Sequence, residues 1–220
     1  PDTISPLQRV LDYEITQTLF IGRHVVLVEG ESDFLYLKWF SQQLEKIGKS
    51  GLDYRWSICI GRGVDRIPGF ISLFRGNQLQ VSALVDVQKG QKQKIENARK
   101  ALDDGHLFTA DVYAGATEAD VEDILGRKFY VALVNKAFQL PNSVALPATK
   151  STDAPDRVVL EVENSFSVMP TYIREFDHFI PAEYLFQNGD EGTTLPGFQD
   201  ALTHMEKLIG DINAILKIRH

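Results

Sequence analysis

Cysteine is almost missing from this chain: Cys59 is the only one in 220 residues. A single thiol excludes an intrachain disulfide and a cysteine-built zinc cluster. It fits a reducing compartment, so a cytoplasmic protein is expected. No run of about 18 apolar residues occurs, so no membrane span is expected. Glycine, at 16 residues, and proline, at 9, are too sparse for a collagen-like or low-complexity tract. The opening Pro1-Asp2-Thr3 has no initiator Met, no basic n-region and no apolar h-region. It is therefore not a signal peptide, and an excised or processed part of a longer protein is expected. Positive charge is also scarce. Lys and Arg total 23 against 30 Asp and Glu, giving a net charge of −7. A generic DNA-coating protein would show the opposite balance, because phosphate binding favours basic surfaces. An enzyme that places metal ions between its acids and a phosphate remains open.

The remaining composition is that of an ordinary globular protein with enough chain to bury a core, 44% hydrophobic and 24% charged. Residues 4–20 carry apolar side chains at helical spacing. His24–Val28 is a short β-branched run stopped by Glu29-Gly30, as suits a strand buried on both faces. Phe34, Leu37, Phe40, Leu44 and Ile47 form a helical stripe that ends at Gly48. Trp56–Ile60 and Val81–Val85 are the second and third strands, and Leu107 to Val112 is expected to be the fourth. Helices are expected at about 64–74, 90–103 and from Ala119. After about residue 127 the alternation stops, and 156–166, 170–187 and 197–217 read as mainly helical. The expected class is α/β, a four-stranded parallel sheet flanked by helices with a C-terminal helical appendage. The expected division is a leading helix at 1–21, an α/β domain at 22–126 and the appendage at 127–220.

Ligands of open parallel sheets collect beyond the carboxyl ends of the strands, and three acidic clusters fall there. Glu29, Glu31 and Asp33 follow strand one, Asp86 ends strand three, and Glu118, Asp120, Glu122 and Asp123 follow strand four. In a 2-1-3-4 strand order Glu29 and Asp86 face each other. Crowded carboxylates repel and raise one another's pKa. A hard divalent cation with oxygen ligands removes that penalty, so Mg²⁺ or Mn²⁺ is expected. Each acid taken singly also suits a helix first turn or a cap; the three clusters together favour the metal.

Val25–Asp33, an apolar strand followed by Glu29-Gly30, resembles the first signature of the TOPRIM domain. Ala83-Leu84-Val85-Asp86-Val87-Gln88 resembles its Asp-x-Asp signature with Gln88 in place of the second Asp. Ala119–Leu125 resembles the acidic stretch at the fourth strand in the OLD (overcoming lysogenization defect) family. The resemblance implies a metal-dependent DNA endonuclease acting through two metal ions and leaving 5′-phosphate and 3′-hydroxyl ends. It also implies an N-terminal ABC-type ATPase as partner. That ATPase is absent from this chain, which has no G-x-x-x-x-G-K-[ST] phosphate loop, and an oligomer could form through the missing part. Glu29 and Asp33 would hold one metal, Asp86 would lie near both, and Asp120 and Glu122, expected just before a helix, would hold the second. Lys150 is the candidate for stabilising the pentavalent phosphate, against an ordinary surface lysine. Arg62, Lys89 and Lys92 are candidate DNA contacts, against a solvated helix face. Gln88 supplies no charge, so a degenerate or topoisomerase- or primase-type module that binds DNA or a partner without hydrolysing it is the alternative. A phospho-accepting receiver is disfavoured because Gly30 separates Glu29 from Glu31. The five histidines show no ligand spacing and read as structural or surface residues.

Overall fold

The computed structural model describes residues 24–74, 80–103, 106–150 and 155–216. The leading helix expected at 1–21 lies outside the described residues. Four parallel strands, β1 (His24–Val28), β2 (Trp56–Ile60), β3 (Val81–Val85) and β4 (Leu107–Thr109), lie in the order β2-β1-β3-β4. Leu27 pairs with Cys59 on one side and Ala83 on the other, and Ala83 pairs with Leu107. Glu29 and Asp86 therefore leave neighbouring strands at the same edge.

The continuous apolar runs follow from burial on both faces. Side chains alternate across a strand, so Val26, Val28, Ile58, Ile60, Leu84 and Phe108 enter one core. Val25, Leu27, Cys59, Ala83, Val85 and Leu107 enter the other. The second core is closed by α2 (Ile67–Phe74), which follows a 3₁₀ turn at Val64–Arg66, and by α3 (Lys92–Ala101). Cys59 is buried there as a small apolar residue.

The first core is the larger. Helix α1 (Glu31–Lys46) is buried around most of its circumference, from Phe34 through Trp39 and Phe40 to Leu44. The reason lies in what covers it. Helices α5 (Val121–Leu125), α6 (Arg127–Ala137), α7 (Val158–Ser167), α8 (Phe179–Gln187) and α9 (Phe198–Ile215) contribute to the same core. Trp39 and Phe40 meet Phe129 and Phe198 in a four-ring cluster. The core thus runs past residue 126 without a break. Asn213 fastens α9 to the loop before β2, accepting from Asp53 N–H and donating to the Gly51 carbonyl.

Two expected elements are shorter than their sequence pattern. The fourth strand stops at Thr109, and α4 (Ala110–Ala114) takes Val112 out of the sheet. Helical spacing puts Ala110 and Tyr113 together in the core while Val112 is exposed. Of 170–187 only Phe179–Gln187 is helical. Its Pro181 falls in the first turn, where a missing N–H costs no helical hydrogen bond.

Candidate functional site

Backbone hydrogen bonds bring the three acidic clusters together. Beyond β3, Val87 and Ala119 form an isolated antiparallel bridge, each N–H donating to the other's carbonyl at 2.8 and 2.9 Å. That bridge delivers Asp120 and Glu122 beside Asp86, from a strand that itself ended ten residues earlier. Asp86 N–H donates to Glu29 Oε1 at 3.0 Å, joining the first two clusters directly. Asp33 turns back to accept from Gly30 N–H at 2.8 Å, closing the first turn of α1. Asp123 does the same for α5, accepting from Asp120 N–H at 2.9 Å.

These residues line a cleft of about 320 Å³ with Glu29, Gly30, Ser32, Asp33, Gly63, Asp86, Gln88, Asp120, Glu122, Arg157, Val159 and His178 on its walls. All five expected metal ligands are there. Asp120 caps α5 and Glu122 lies inside its first turn, so the latter is helical rather than ahead of the helix. Gly30 has an ordinary extended backbone. Its missing side chain leaves that part of the wall open.

Burial dominates the electrostatics. Asp33, Asp120 and Glu122 are 7%, 2% and 5% exposed. Burial and the neighbouring carboxylates push Asp33 up to about 7. The same causes raise Glu122 and Asp86 well above the carboxylate range. Glu29 is raised by burial, against the lowering effect of the Asp86 and Val64 N–H groups. Asp86 Oδ1 is buried without a hydrogen-bond partner. Behind Glu122 the hydroxyls of Tyr36 and Tyr130 are likewise buried and unpartnered.

An unpartnered carboxylate oxygen amid acids whose ionisation burial opposes fits a hard divalent cation. Glu29, Asp33, Asp86, Asp120 and Glu122 are the residues to hold it. Among the described residues no three His, Cys, Asp or Glu side chains already stand in a metal-holding geometry. Asp33 faces Gly30 N–H, and Asp120 faces Arg157.

Arg157 was not legible as a site residue. It directly precedes α7, and its Nε and Nη2 each donate to Asp120 at 2.7 Å, a bidentate pair. Beside it, Val158 N–H donates to Asp123 Oδ1 at 2.8 Å. The only sequence signal was an arginine at a helix start, 37 residues from its partner. Lys150 lies in another environment, with its ammonium 2.9 Å from Asp156 on the surface. It does not line the cleft. His178 does, with its ring on Glu163 at 2.8 Å and its carbonyl accepting from Ser32. Arg62 is exposed, and its N–H donates to the Glu29 carbonyl. Lys89 and Lys92 line a second groove with Glu96, Arg99, Asp111 and Glu118. Gln88 lines both that groove and the cleft.

Residues 20–87 match the family model described as overcoming lysogenization defect protein-like, TOPRIM domain. The match holds Glu29, Asp33 and Asp86 and stops just before Gln88. No curated protein and no solved structure matches the chain.

Proposed function

Since residues 20–87 are a TOPRIM domain of the OLD-like type, we propose that the chain is a metal-dependent DNA endonuclease module that hydrolyses phosphodiester bonds. The observation that supports this most is the convergence of Glu29, Asp33, Asp86, Asp120 and Glu122 in one cleft, with Asp86 Oδ1 left without a partner. Bound Mg²⁺ or Mn²⁺ would supply a Lewis acid and an activated water to this chemistry. The chain's own residues do the rest. The Asp86 N–H fixes the Glu29 carboxylate, so one of its oxygens is oriented before any ligand arrives. Glu29, raised by burial and held by backbone N–H groups, would take a proton from the attacking water. Low exposure of Asp33, Asp120 and Glu122 keeps bulk water from screening the site. The family resemblance supports 5′-phosphate and 3′-hydroxyl ends and an ATPase partner.

One observation favours a second reading, a TOPRIM module that binds DNA without cutting it. Gln88 stands in the cleft wall where the signature has an acid. A topoisomerase-type reaction has less support, because it needs a free tyrosine hydroxyl at the phosphate. Tyr36 and Tyr130 are buried, Tyr113 is bonded to Asp211 and Tyr184 to Glu191, and the exposed Tyr54 and Tyr172 do not line the cleft.

Incubation with supercoiled plasmid and Mg²⁺, Mn²⁺ or EDTA decides. Nicking or linearisation is expected with metal only, lost in Glu29→Ala and Asp86→Ala variants that keep wild-type circular dichroism. Wild-type cleavage by Glu29→Ala sinks the nuclease mechanism. Metal-dependent DNA binding without any cleavage selects the second reading.

A further inference from the structure

We propose that Arg157 is the resident counter-ion of the acidic cleft, that it gives up Asp120 when a divalent cation enters, and that the freed guanidinium then meets the substrate phosphate. The phosphate half rests on the nuclease reading; the exchange half does not.

Among the groups lining the cleft, five carboxylates face one guanidinium. Arginine stays protonated in a protein, so Arg157 cannot relieve crowding by losing its charge. It is bound on Asp120 with side-chain exposures of only 13% and 3%. Both Asp120 oxygens are occupied. A divalent cation drawn to Asp86 Oδ1 and its neighbours would lie against a fixed charge of its own sign. Competition for Asp120 is the consequence. Arg157 is also not the only tie between α7 and α5 among the described residues. It precedes the first turn of α7 with an extended backbone, and α7 stays anchored to α5 through Val158 N–H and Asp123 without it. Its Nη1 makes no hydrogen bond among the described residues, so part of the fork is already free for a phosphate oxygen.

The test follows the ¹H–¹⁵N signal of Arg157 Nε–H in the metal-free wild-type chain, identified by its loss in Arg157→Lys. On titration with Mg²⁺ the signal should leave its hydrogen-bonded position for that of a solvated arginine. In parallel, Arg157→Gln should bind Mn²⁺ about tenfold more tightly, the size of an ordinary coupling between two competing ligands. It should nevertheless cut plasmid about a hundredfold more slowly, as for loss of one charge-stabilising donor. Arg157→Lys should recover much of that rate. A purely structural Arg157 would not produce opposite signs for metal affinity and rate. An Arg157 signal that stays put while Mg²⁺ raises the melting temperature overturns the exchange and leaves the nuclease reading standing. A signal that moves in a protein that never cuts DNA keeps the exchange and sinks the nuclease. If Mg²⁺ does not bind the wild type, both fall. Should Arg157→Gln not fold, the wild-type titration still decides.

Discussion

The cleft has two acidic walls that solve the same problem differently. On the wall from β1 and β3, backbone N–H groups hold Glu29 and Asp33, Asp86 Oδ1 has no partner, and among the described residues none of the three forms an ion pair. On the wall from α5, Asp120 is neutralised by a guanidinium and Asp123 holds the start of α7. The first wall lies inside the matched residues 20–87 and the second outside them. Backbone dipoles orient a carboxylate without cancelling its charge, so the first wall stays hungry for a cation. A paired guanidinium cancels charge and fixes structure, so the second wall serves the fold as well as the site.

Breaking the second wall should give the largest effect on stability. Arg157→Met removes one partner of a buried pair and leaves Asp120 charged at 2% exposure. Such losses run to about 3–5 kcal/mol. Asp120→Asn combined with Arg157→Met should recover a large part of it. Urea denaturation of the three proteins measures this. A loss under about 1 kcal/mol for the single variant means the pair does not hold α7 against α5.

Next in size is the pH response of the cleft's raised acids. Asp33, Asp86, Glu29 and Glu122 all have raised pKa values in the folded chain, Asp33 to about 7. The folded state then binds protons that the unfolded state releases near pH 4. Their stabilising effect is complete below pH 4 and is lost as pH rises toward 7. The metal-free chain should therefore be less stable at pH 8 than at pH 5.5, with a slope of up to about 1.4 kcal/mol per pH unit for each proton released. Asp33→Asn should flatten the slope. Saturating Mg²⁺ should reverse it, because metal ligands must be deprotonated. Melting curves across pH, with and without EDTA, check the sign.

A smaller effect separates the walls by sign. Asp86→Asn should raise the metal-free melting temperature at pH 8, because it removes an acid whose ionisation burial and the neighbouring carboxylates oppose and whose Oδ1 has no partner. A typical substitution instead destabilises by about 1 kcal/mol. The same variant should lose the stabilisation by Mg²⁺. A destabilised metal-free Asp86→Asn would show that the first wall is not under repulsion.

The sequence carried one wall far better than the other. Strand β1 announces itself as an apolar run after His24, and β3 as an apolar run interrupted only by the buried Ser82, because burial on both faces disfavours polar residues. The acid that ends each is then placed by the parallel-sheet rule alone. Asp120 and Glu122 were also identified, but their arrival depends on the Val87–Ala119 bridge, which no local period encodes. Arg157 was missed because a charge pair across 37 residues leaves no spacing signal. Val112 was misplaced because its β-branched character is outweighed by the burial of Ala110 and Tyr113 on a helical face. The helical spacing of 197–217 did identify α9, but not that it covers α1. Amphipathic pattern says that a face is covered, and not by what.

The smallest expected effect concerns Lys150, seven residues before Arg157. Both are cations downstream of the last acidic cluster, and they differ in surroundings. Lys150 pairs with Asp156 at side-chain exposures of 42% and 73%. Exposed pairs of this kind contribute about 0–1 kcal/mol, and salt screens them. Arg157 sits in the cleft wall on a buried acid. Lys150→Ala should therefore change stability by less than about 1 kcal/mol. Plasmid cleavage should stay within roughly threefold of wild type, far from the hundredfold loss of a charge-stabilising donor. A hundredfold loss with unchanged Mg²⁺ stabilisation would reverse the assignment. It would place the phosphate-facing cation at Lys150 and leave Arg157 as a strut between α7 and α5.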